Sequence, residues 1–272
     1  MPTFETTDGT TIHYKDLGAG PVVLLVHAWS LSADMWEYQI DALTRAGFRV
    51  VAPDRRGHGR SEASRGDYDL TTLAEDLHQL LERLDLRDVR VVAHSMGTCE
   101  TVRLLGRHGT GRIARVALLG AMTPHFAGAV GTEAVEALID DLRRDRPGWF
   151  RAGAPAYFAQ QGSGAWVSQE LVDDGVRTIL ATPLEVQIAC VRAFALTDLT
   201  ADLAALDVPV LMFHGTADAS APLEITGGPT AKLVPHAELV ELPDAGHGIY
   251  VTDREAVHAR LLPFLAESPD PR

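Results

Sequence analysis

The 272-residue chain is 46% hydrophobic and carries a formal net charge of −13. This length and apolar content suit one α/β domain of the larger sort, or a domain with a modest insertion. The negative charge argues against binding to nucleic acid or to an anionic membrane surface, because phosphate groups require a basic surface. No window approaches the roughly 20 apolar residues of a membrane span, and the N-terminal residues lack a signal-peptide pattern, so we expect a cytoplasmic protein.

Strand and helix patterns alternate in chain order, which predicts a mostly parallel sheet with helices on both faces. The predicted elements are a hairpin around Asp8-Gly9, a strand over 22–26, a helix near 36–46, a strand over 50–52, a helix near 71–84, a strand over 89–93, a helix from Glu100 to Arg107, and strands over 116–119, 209–215 and 238–242.

The alternation breaks between about 122 and 197, where short helical runs are separated by glycine and proline. We predict that 122–197 is a helical cap inserted over the carboxyl edge of the sheet. Residues 1–121 and 198–272 would then form the core domain.

The run Val91-Val92-Ala93-His94-Ser95-Met96-Gly97-Thr98 is the most informative motif. A β-branched strand ends there in a small-x-Ser-x-Gly turn, and helix-forming residues follow. In such a nucleophile elbow the turn is so tight that its flanking residues must be small, and the serine hydroxyl projects clear of the backbone. The pattern predicts that Ser95 is a nucleophile.

Two later loops supply the partners that a serine nucleophile needs. Asp218 follows the strand over 209–215, and His247 lies in the Gly-flanked loop after the strand over 238–242. Because a serine hydroxyl is a weak nucleophile, His247 would accept its proton and return it to the leaving group, while Asp218 would orient the imidazole. Asp244 is a rival acid, but it precedes His247 by only three residues, so we favour Asp218.

An oxyanion hole requires backbone donors beside the nucleophile. The N–H of Met96, directly after Ser95, is one candidate. The loop after the strand over 22–26 supplies the other, and the N–H of Trp29 is predicted to be that donor.

These motifs resemble those of bacterial aryl esterases and cofactor-free (non-haem) haloperoxidases, also called perhydrolases, of the α/β-hydrolase superfamily. The resemblance covers nearly the whole chain, through His27-Ala28-Trp29 with 31–36, Asp54 to Ser61, the elbow, Ala193-Phe194 with 197–199, 208–210 with His214-Gly215, and 246–248. It implies an α/β-hydrolase fold and the same roles for Ser95, Asp218, His247, Trp29 and Met96.

The chain departs from the family pattern at four places. Ala28 and Ala93 stand where glycine is usual, and Thr98 replaces a frequent second glycine. Their added side-chain atoms are expected to crowd a site that works by close backbone approach. Ser30 stands where members known for perhydrolysis commonly carry proline, which favours hydrolysis over peracid formation.

Several other residues have structural explanations that we prefer. His27, His94 and His214 lie at strand ends, where we expect them to shape the site by hydrogen bonding. The segment Asp54 to Ser61 lacks the Lys-Ser/Thr pair of a phosphate loop, so we interpret it as a turn. Five aromatic residues of the cap are candidates for a substrate pocket, although helices also need aromatic residues for packing: Trp149, Phe150, Tyr157, Phe158 and Trp166.

Two cysteines, Cys99 and Cys190, are too few for a disulfide framework, and 11 histidines show no ligand spacing such as His-Glu-x-x-His. We therefore expect neither a disulfide bridge, a catalytic metal nor a cofactor.

The sequence predicts a serine hydrolase of carboxylic esters or lactones that acts through an acyl-serine intermediate. Two alternatives stay open: a cofactor-free haloperoxidase or perhydrolase that forms peracids, and a hydrolase-fold ligand-binding protein with little turnover. The expected partner is a small-molecule ester, lactone or acyl substrate, and a homo-oligomer also stays open.

Overall fold

The computed structural model describes residues 2–64, 67–159 and 167–267. Their strands are β1 (Thr3–Glu5), β2 (Thr11–Gly18), β3 (Val22–Val26), β4 (Arg49–Pro53), β5 (Val89–His94), β6 (Ile113–Leu119), β7 (Val210–Gly215) and β8 (Glu238–Leu242). They form one sheet in the order β1-β2-β4-β3-β5-β6-β7-β8. The predicted strands are confirmed, each to within a few residues.

The sheet is parallel from β4 to β8, and only β1 and β2 run antiparallel to their neighbours. The antiparallel pair β1 and β2 is the hairpin predicted around Asp8-Gly9. Since parallel strands end at the same edge of a sheet, the loops after β3, β5, β7 and β8 meet there. All the predicted catalytic residues lie in those loops or at the start of the helix after β5.

Helices connect the strands in the alternation that the sequence predicts. They are α1 (Glu37–Arg45), α2 (Leu70–Arg83), α3 (Met96–His108), α4 (Phe126–Val130), α5 (Thr132–Tyr157), α6 (Gln169–Ala181), α7 (Leu184–Leu196), α8 (Thr200–Leu203), α9 (Gly227–Leu233), α10 (Ile249–Thr252) and α11 (Arg254–Ala266). Helix α3 begins four residues before the predicted start, directly after Ser95.

Both faces of the sheet are covered by apolar packing. Along β5, Val89, Val91 and Ala93 belong to one buried cluster, which they share with α2 and α3. Val92 belongs to a second cluster, which it shares with α1 and α11. Alternate residues of one strand thus enter different cores, which explains why the central strands β3, β5, β6 and β7 are mostly apolar.

Helices α4 to α7 lie between β6 and β7, inside the interval 122–197. Helix α5 is broken at Asp145, whose φ of −157° and ψ of 77° are non-helical. Residues of α5 and α7 share a hydrophobic cluster with β5 and β6. The division into a cap of 122–197 and a core of 1–121 and 198–272 therefore stays our proposal.

In the described ranges, no single helix is both long and apolar enough to cross a bilayer. The pair α6 and α7, bent by 93° where the helices meet, reaches the length and apolar composition of a span only when taken together. Cys99 and Cys190 are both buried free thiols.

Candidate active site

Ser95 lies in the turn between β5 and α3, in the strained conformation that the elbow motif predicts. Its φ of 54° and ψ of −123° fall where residues with a side chain are uncommon. The N–H of Ser95 donates to the carbonyl of Leu119 at 3.0 Å, and its own carbonyl accepts from the N–H of Thr98 at 2.9 Å. The end of β6 and the first turn of α3 therefore hold the strained residue in place.

The small residues of the elbow are explained by close contact between α3 and β3. A Cβ atom at Gly97 would lie 2.5 Å from the carbonyl oxygen of Val26 and 2.9 Å from that of His27. Thr98, in contrast, is accommodated: its hydroxyl donates to the Ser95 carbonyl at 2.6 Å and accepts from the N–H of Met122 at 3.1 Å. The expected crowding does not occur at Thr98, because the threonine hydroxyl bonds the backbone that surrounds it.

Asp218 and His247 form a buried hydrogen-bonded pair. The Nδ1–H of His247 donates to Oδ2 of Asp218 at 2.6 Å. The other carboxylate oxygen, Oδ1, accepts from the N–H of Ser220 at 2.9 Å and of Ala221 at 2.8 Å. Burial by itself would raise the pKa of Asp218, but the His247 imidazole and the backbone donor of Ala221 lower that pKa below its ordinary value. The carboxylate is therefore ionised at neutral pH.

His247 and Ser95 face the same cavity. The His247 ring lies against Gly120, where a Cβ atom would come within 3.1 Å of its Cε1 and Nδ1 atoms. Among the described residues, no hydrogen bond joins Ser95 Oγ to His247 Nε2. Both side chains nevertheless line one cavity. Hydrogen bonds in catalytic sites without ligand are often long and tighten only when substrate binds.

The predicted oxyanion donors are the backbone N–H groups of Trp29 and Met96. In the described part of the chain, neither the N–H of Trp29 nor that of Met96 has a hydrogen-bond acceptor. Trp29 lines the cavity, whereas the fully buried Met96 lies in the first turn of α3 behind it. The Trp29 indole donates to the carbonyl of Gln187 at 3.0 Å, which joins this loop to α7.

The cavity has a volume of about 380 Å³ and mostly apolar walls. Four of the five predicted pocket residues line it: Trp149, Phe150, Tyr157 and Phe158. The fifth, Trp166, lies outside the described residues. Sequence reasoning missed Phe126, Phe194 and Tyr250, which also line the cavity. The family motif Ala193-Phe194 could have indicated Phe194 as a pocket residue, but no sequence pattern indicated Phe126 or Tyr250.

Two tyrosine hydroxyls add polarity near His247. The Tyr157 hydroxyl donates to that of Tyr250 at 3.4 Å, and the Tyr157 ring packs edge-on to the His247 imidazole with centroids 5.3 Å apart. Burial raises the pKa of Tyr250 to about 12 and raises that of Tyr157 further above its usual range. Both phenols are therefore neutral hydrogen-bonding groups at neutral pH.

Histidines at strand ends hold three loops of the site, as predicted. His27 donates to the Ala28 carbonyl at 2.8 Å, His94 to the His247 carbonyl at 2.9 Å, and His214 to the Ala221 carbonyl at 2.7 Å. Burial lowers the pKa of each imidazole, so all three are neutral near pH 7. His94 and His214 orient backbone groups beside the Asp218–His247 pair, and His27 orients the loop that carries Trp29.

Buried histidines that stay neutral predict that stability falls in mild acid. His58, which is buried in the segment Asp54 to Ser61, and His94 are two of them. Burial lowers the pKa of each to about 3 in the folded chain, against about 6.5 when unfolded. Between those values the unfolded chain binds more protons, so the contribution is complete above pH 6.5 and declines toward pH 3. From pH 7 to pH 5 we expect the free energy of unfolding to drop by about 1 to 2 kcal/mol per histidine, measured by urea denaturation. Carboxylates with ordinary pKa values titrate below this pH range. A free energy of unfolding that stayed constant from pH 7 to pH 5 would therefore contradict the prediction. His58→Asn should show a smaller decrease over the same range.

The segment Asp54 to Ser61 is a turn, as predicted. The Asp54 carboxylate accepts from the N–H of Ala33 at 2.8 Å and of Arg60 at 2.9 Å. Gly57 and Gly59 have φ values of 72° and 54°, which glycine adopts without strain. Asp244 is exposed, and its N–H donates to the Thr216 hydroxyl at 2.9 Å.

Among the described residues, no three His, Cys, Asp or Glu side chains converge as ligands for a metal ion. The carboxyl edge of the parallel sheet brings together a serine in a strained elbow, a buried Asp–His pair and the loops that carry the two candidate oxyanion donors. This fold and this site together define the class of α/β hydrolases.

The chain belongs to the α/β-hydrolase fold family, whose model matches residues 21–253. It is 40% identical to a non-heme chloroperoxidase of Kitasatospora aureofaciens over 97% of this chain and 99% of that protein. It is 32% identical to a bifunctional esterase/perhydrolase of Acinetobacter calcoaceticus over 96% of this chain and 98% of that protein. The crystal structure of bromoperoxidase from Bacillus anthracis superimposes with a TM-score of 0.92 at 32% identity, covering 98% of this chain and all of that one.

Proposed function

We propose that the chain is a carboxylic ester hydrolase that uses Ser95, His247 and Asp218 as a catalytic triad. The observation that carries the proposal is the 2.6 Å bond from His247 to the buried Asp218, in a cavity that Ser95 also lines. The esterase activity in the name of one relative is consistent with a small-molecule ester substrate.

In the proposed reaction, Ser95 Oγ attacks the ester carbonyl carbon while His247 Nε2 accepts the hydroxyl proton. Asp218, bonded to Nδ1–H, stabilises the imidazolium that forms. The carbonyl oxygen becomes an oxyanion that accepts hydrogen bonds from the N–H groups of Trp29 and Met96. The C–O bond then breaks and the alcohol leaves with the proton from His247. Water repeats these steps on the acyl-Ser95 ester, releasing the carboxylic acid and restoring the serine.

The cavity supports an uncharged, largely apolar substrate. We propose that Trp149, Phe150, Tyr157 and Phe158 hold its acyl or aryl group, and that Trp166 belongs to the same pocket. In the described residues the cavity walls contain no lysine, arginine, aspartate or glutamate. A charged group that entered would lose its water without finding an ionic partner.

A panel of short-chain p-nitrophenyl esters, aryl esters and lactones tests this proposal. We expect turnover of uncharged esters, with values of kcat/KM at least about tenfold lower for matched esters whose acyl chain ends in a carboxylate. Release of product is followed by absorbance or by titration of the acid. Absence of turnover together with tight binding of the esters would favour the ligand-binding alternative.

Peracid formation is a second candidate, favoured by the haloperoxidase and perhydrolase names of the relatives. Hydrogen peroxide would replace water in attacking the acyl-Ser95 ester, so the product would be a peracid, which can oxidise halide in solution. Ser30 has a positive φ of 61°, and its buried hydroxyl has no hydrogen-bond partner among the described residues. It stands where family members known for perhydrolysis commonly carry proline. We expect hydrolysis to exceed perhydrolysis when an ester is supplied with peroxide. The measurement is the ratio of peracid to carboxylic acid.

A further inference from the structure

Arg55 and Glu100 form a buried ion pair directly behind the loop that carries Trp29. Their side chains are only 3% and 2% exposed. Arg55 Nε donates to Glu100 Oε1 at 2.7 Å, and Arg55 Nη2 also contacts that oxygen. Glu100 lies on α3, the helix that begins directly after Ser95. The pair therefore joins the turn after β4 to the elbow helix.

The same guanidinium holds the loop after β3. Arg55 Nη2 donates to the carbonyl of His27 at 2.7 Å, and Nη1 donates to the carbonyl of Ala28 at 3.3 Å. The backbone N–H of Arg55 donates to His27 Nε2 at 2.9 Å, which leaves the His27 Nδ1–H to donate to the Ala28 carbonyl at 2.8 Å. Two donors thus converge on the oxygen of Ala28.

The Ala28 carbonyl and the Trp29 N–H belong to one peptide group. Because that group is planar and trans, its C=O and N–H bonds point in opposite directions. Fixing the carbonyl oxygen toward Arg55 therefore directs the Trp29 N–H away from Arg55.

We propose that Arg55 and Glu100 are positioning residues that hold the Trp29 peptide in the orientation required for the oxyanion hole. The proposal rests on the proposed function, in which that N–H stabilises the oxyanion. Glu100 orients the Arg55 guanidinium group, and that group orients the peptide between Ala28 and Trp29. Neither residue is among the described residues that line the cavity.

A neighbouring ion pair provides a matched control. Arg56 binds Asp76 through two bonds of 2.6 Å and is likewise buried. Within the described part of the chain, its remaining hydrogen bonds go to Asp8 and to the carbonyl of Asp67, and not to His27, Ala28 or Trp29. Asp76→Asn removes the charge of Asp76 while Arg56 keeps its ion pair with Asp8, so this control weakens a buried ionic interaction without releasing the Trp29 peptide.

The test compares Arg55→Met/Glu100→Leu with Asp76→Asn. The double change removes both charges together, so no unpaired charge stays buried, and such replacements often preserve stability. Each protein is assayed with a p-nitrophenyl ester and with an aryl trifluoromethyl ketone, which forms an oxyanion when a serine adds to it. The alcohol of the same skeleton measures binding without an oxyanion. Arg55→Lys keeps the positive charge but lacks the planar guanidinium group with its several N–H donors. This variant replaces the double variant in the test if the double variant folds poorly.

For Arg55→Met/Glu100→Leu we expect kcat to fall about 10- to 100-fold and the inhibition constant of the ketone to rise by a similar factor. KM and the affinity for the alcohol should stay within about threefold. Arg55→Lys should shift kcat and ketone inhibition in the same direction, and Asp76→Asn should leave both near wild type.

The proposal is overturned if the folded double variant keeps wild-type kcat, or if kcat falls while ketone affinity is unchanged. It is also overturned if Asp76→Asn weakens ketone binding as much as the double change does. Failure of the proposed function would give a different result. The wild-type protein would then neither hydrolyse the ester nor bind the ketone more tightly than the alcohol, and this result would contradict both proposals.

Discussion

Replacement of Ser95 by alanine is expected to lower kcat for a p-nitrophenyl ester by about 10,000-fold or more. The change removes the only atom that forms the acyl-enzyme bond in the proposed mechanism, while the strained elbow and the cavity keep their shape. Binding of an unreactive alcohol analogue should change little, because the apolar walls are intact. Steady-state kinetics and labelling by an aryl fluorophosphonate both report the effect.

Ser168→Ala is the control for this substitution. Its hydroxyl accepts from the N–H of Leu171 at 3.2 Å at the start of α6, away from the cavity walls. This variant should lose about 1 kcal/mol of stability from the missing helix cap, yet keep its activity and its labelling. If Ser95→Ala kept most of the ester turnover, a different nucleophile would have to be sought.

Asp218→Asn is expected to lower kcat by about 10,000-fold, nearly as much as loss of the nucleophile. Asp218 accepts two backbone N–H bonds at one oxygen and His247 Nδ1–H at the other. An asparagine amide that turned its NH2 toward His247 would place the ring proton on Nε2, where the proposed base must be free. The expected loss is therefore in kcat, with KM changed much less.

Asp244→Asn separates this prediction from a general effect of charge near His247. Asp244 lies in the same loop as His247 but is exposed and has a φ of 57°, a conformation that asparagine adopts readily. Its replacement should leave kcat within about twofold of wild type, since surface substitutions of this kind have small effects. Comparable losses in the two variants would remove Asp218 from its proposed role.

Local sequence is informative about this fold because of how α/β hydrolases are built. Strands β3, β5, β6 and β7 are buried on both faces, so they are mostly apolar segments that the sequence shows without knowledge of their neighbours in the sheet. The elbow is equally local, because its geometry excludes large residues at Gly97 and places Ser95 at a positive φ. Asp218 and His247 were predicted from their places after strands, and the structure brings these two together.

Other features depend on contacts that no local pattern encodes. Trp149, Phe150, Tyr157 and Phe158 line one cavity with Phe126, Phe194 and Tyr250, and helix packing determines which helix faces turn toward it. The helices of the proposed cap contain breaks, such as the one at Asp145, that depend on neighbouring segments. Thr98, expected to crowd the elbow, instead bonds to Ser95 and Met122, because β6 ends where its hydroxyl points.

By itself, the sequence determined the order of strands and helices, the elbow at Ser95 and the loops that supply Asp218 and His247, since each depends on residues adjacent in the chain. Only the tertiary structure decided that Arg55, 45 residues before Glu100, bonds to it and to the carbonyls beside Trp29. The ends of parallel strands bring distant loops to one edge of the sheet, and the packing there selects which side chains meet. The linear sequence carries no direct record of those distances.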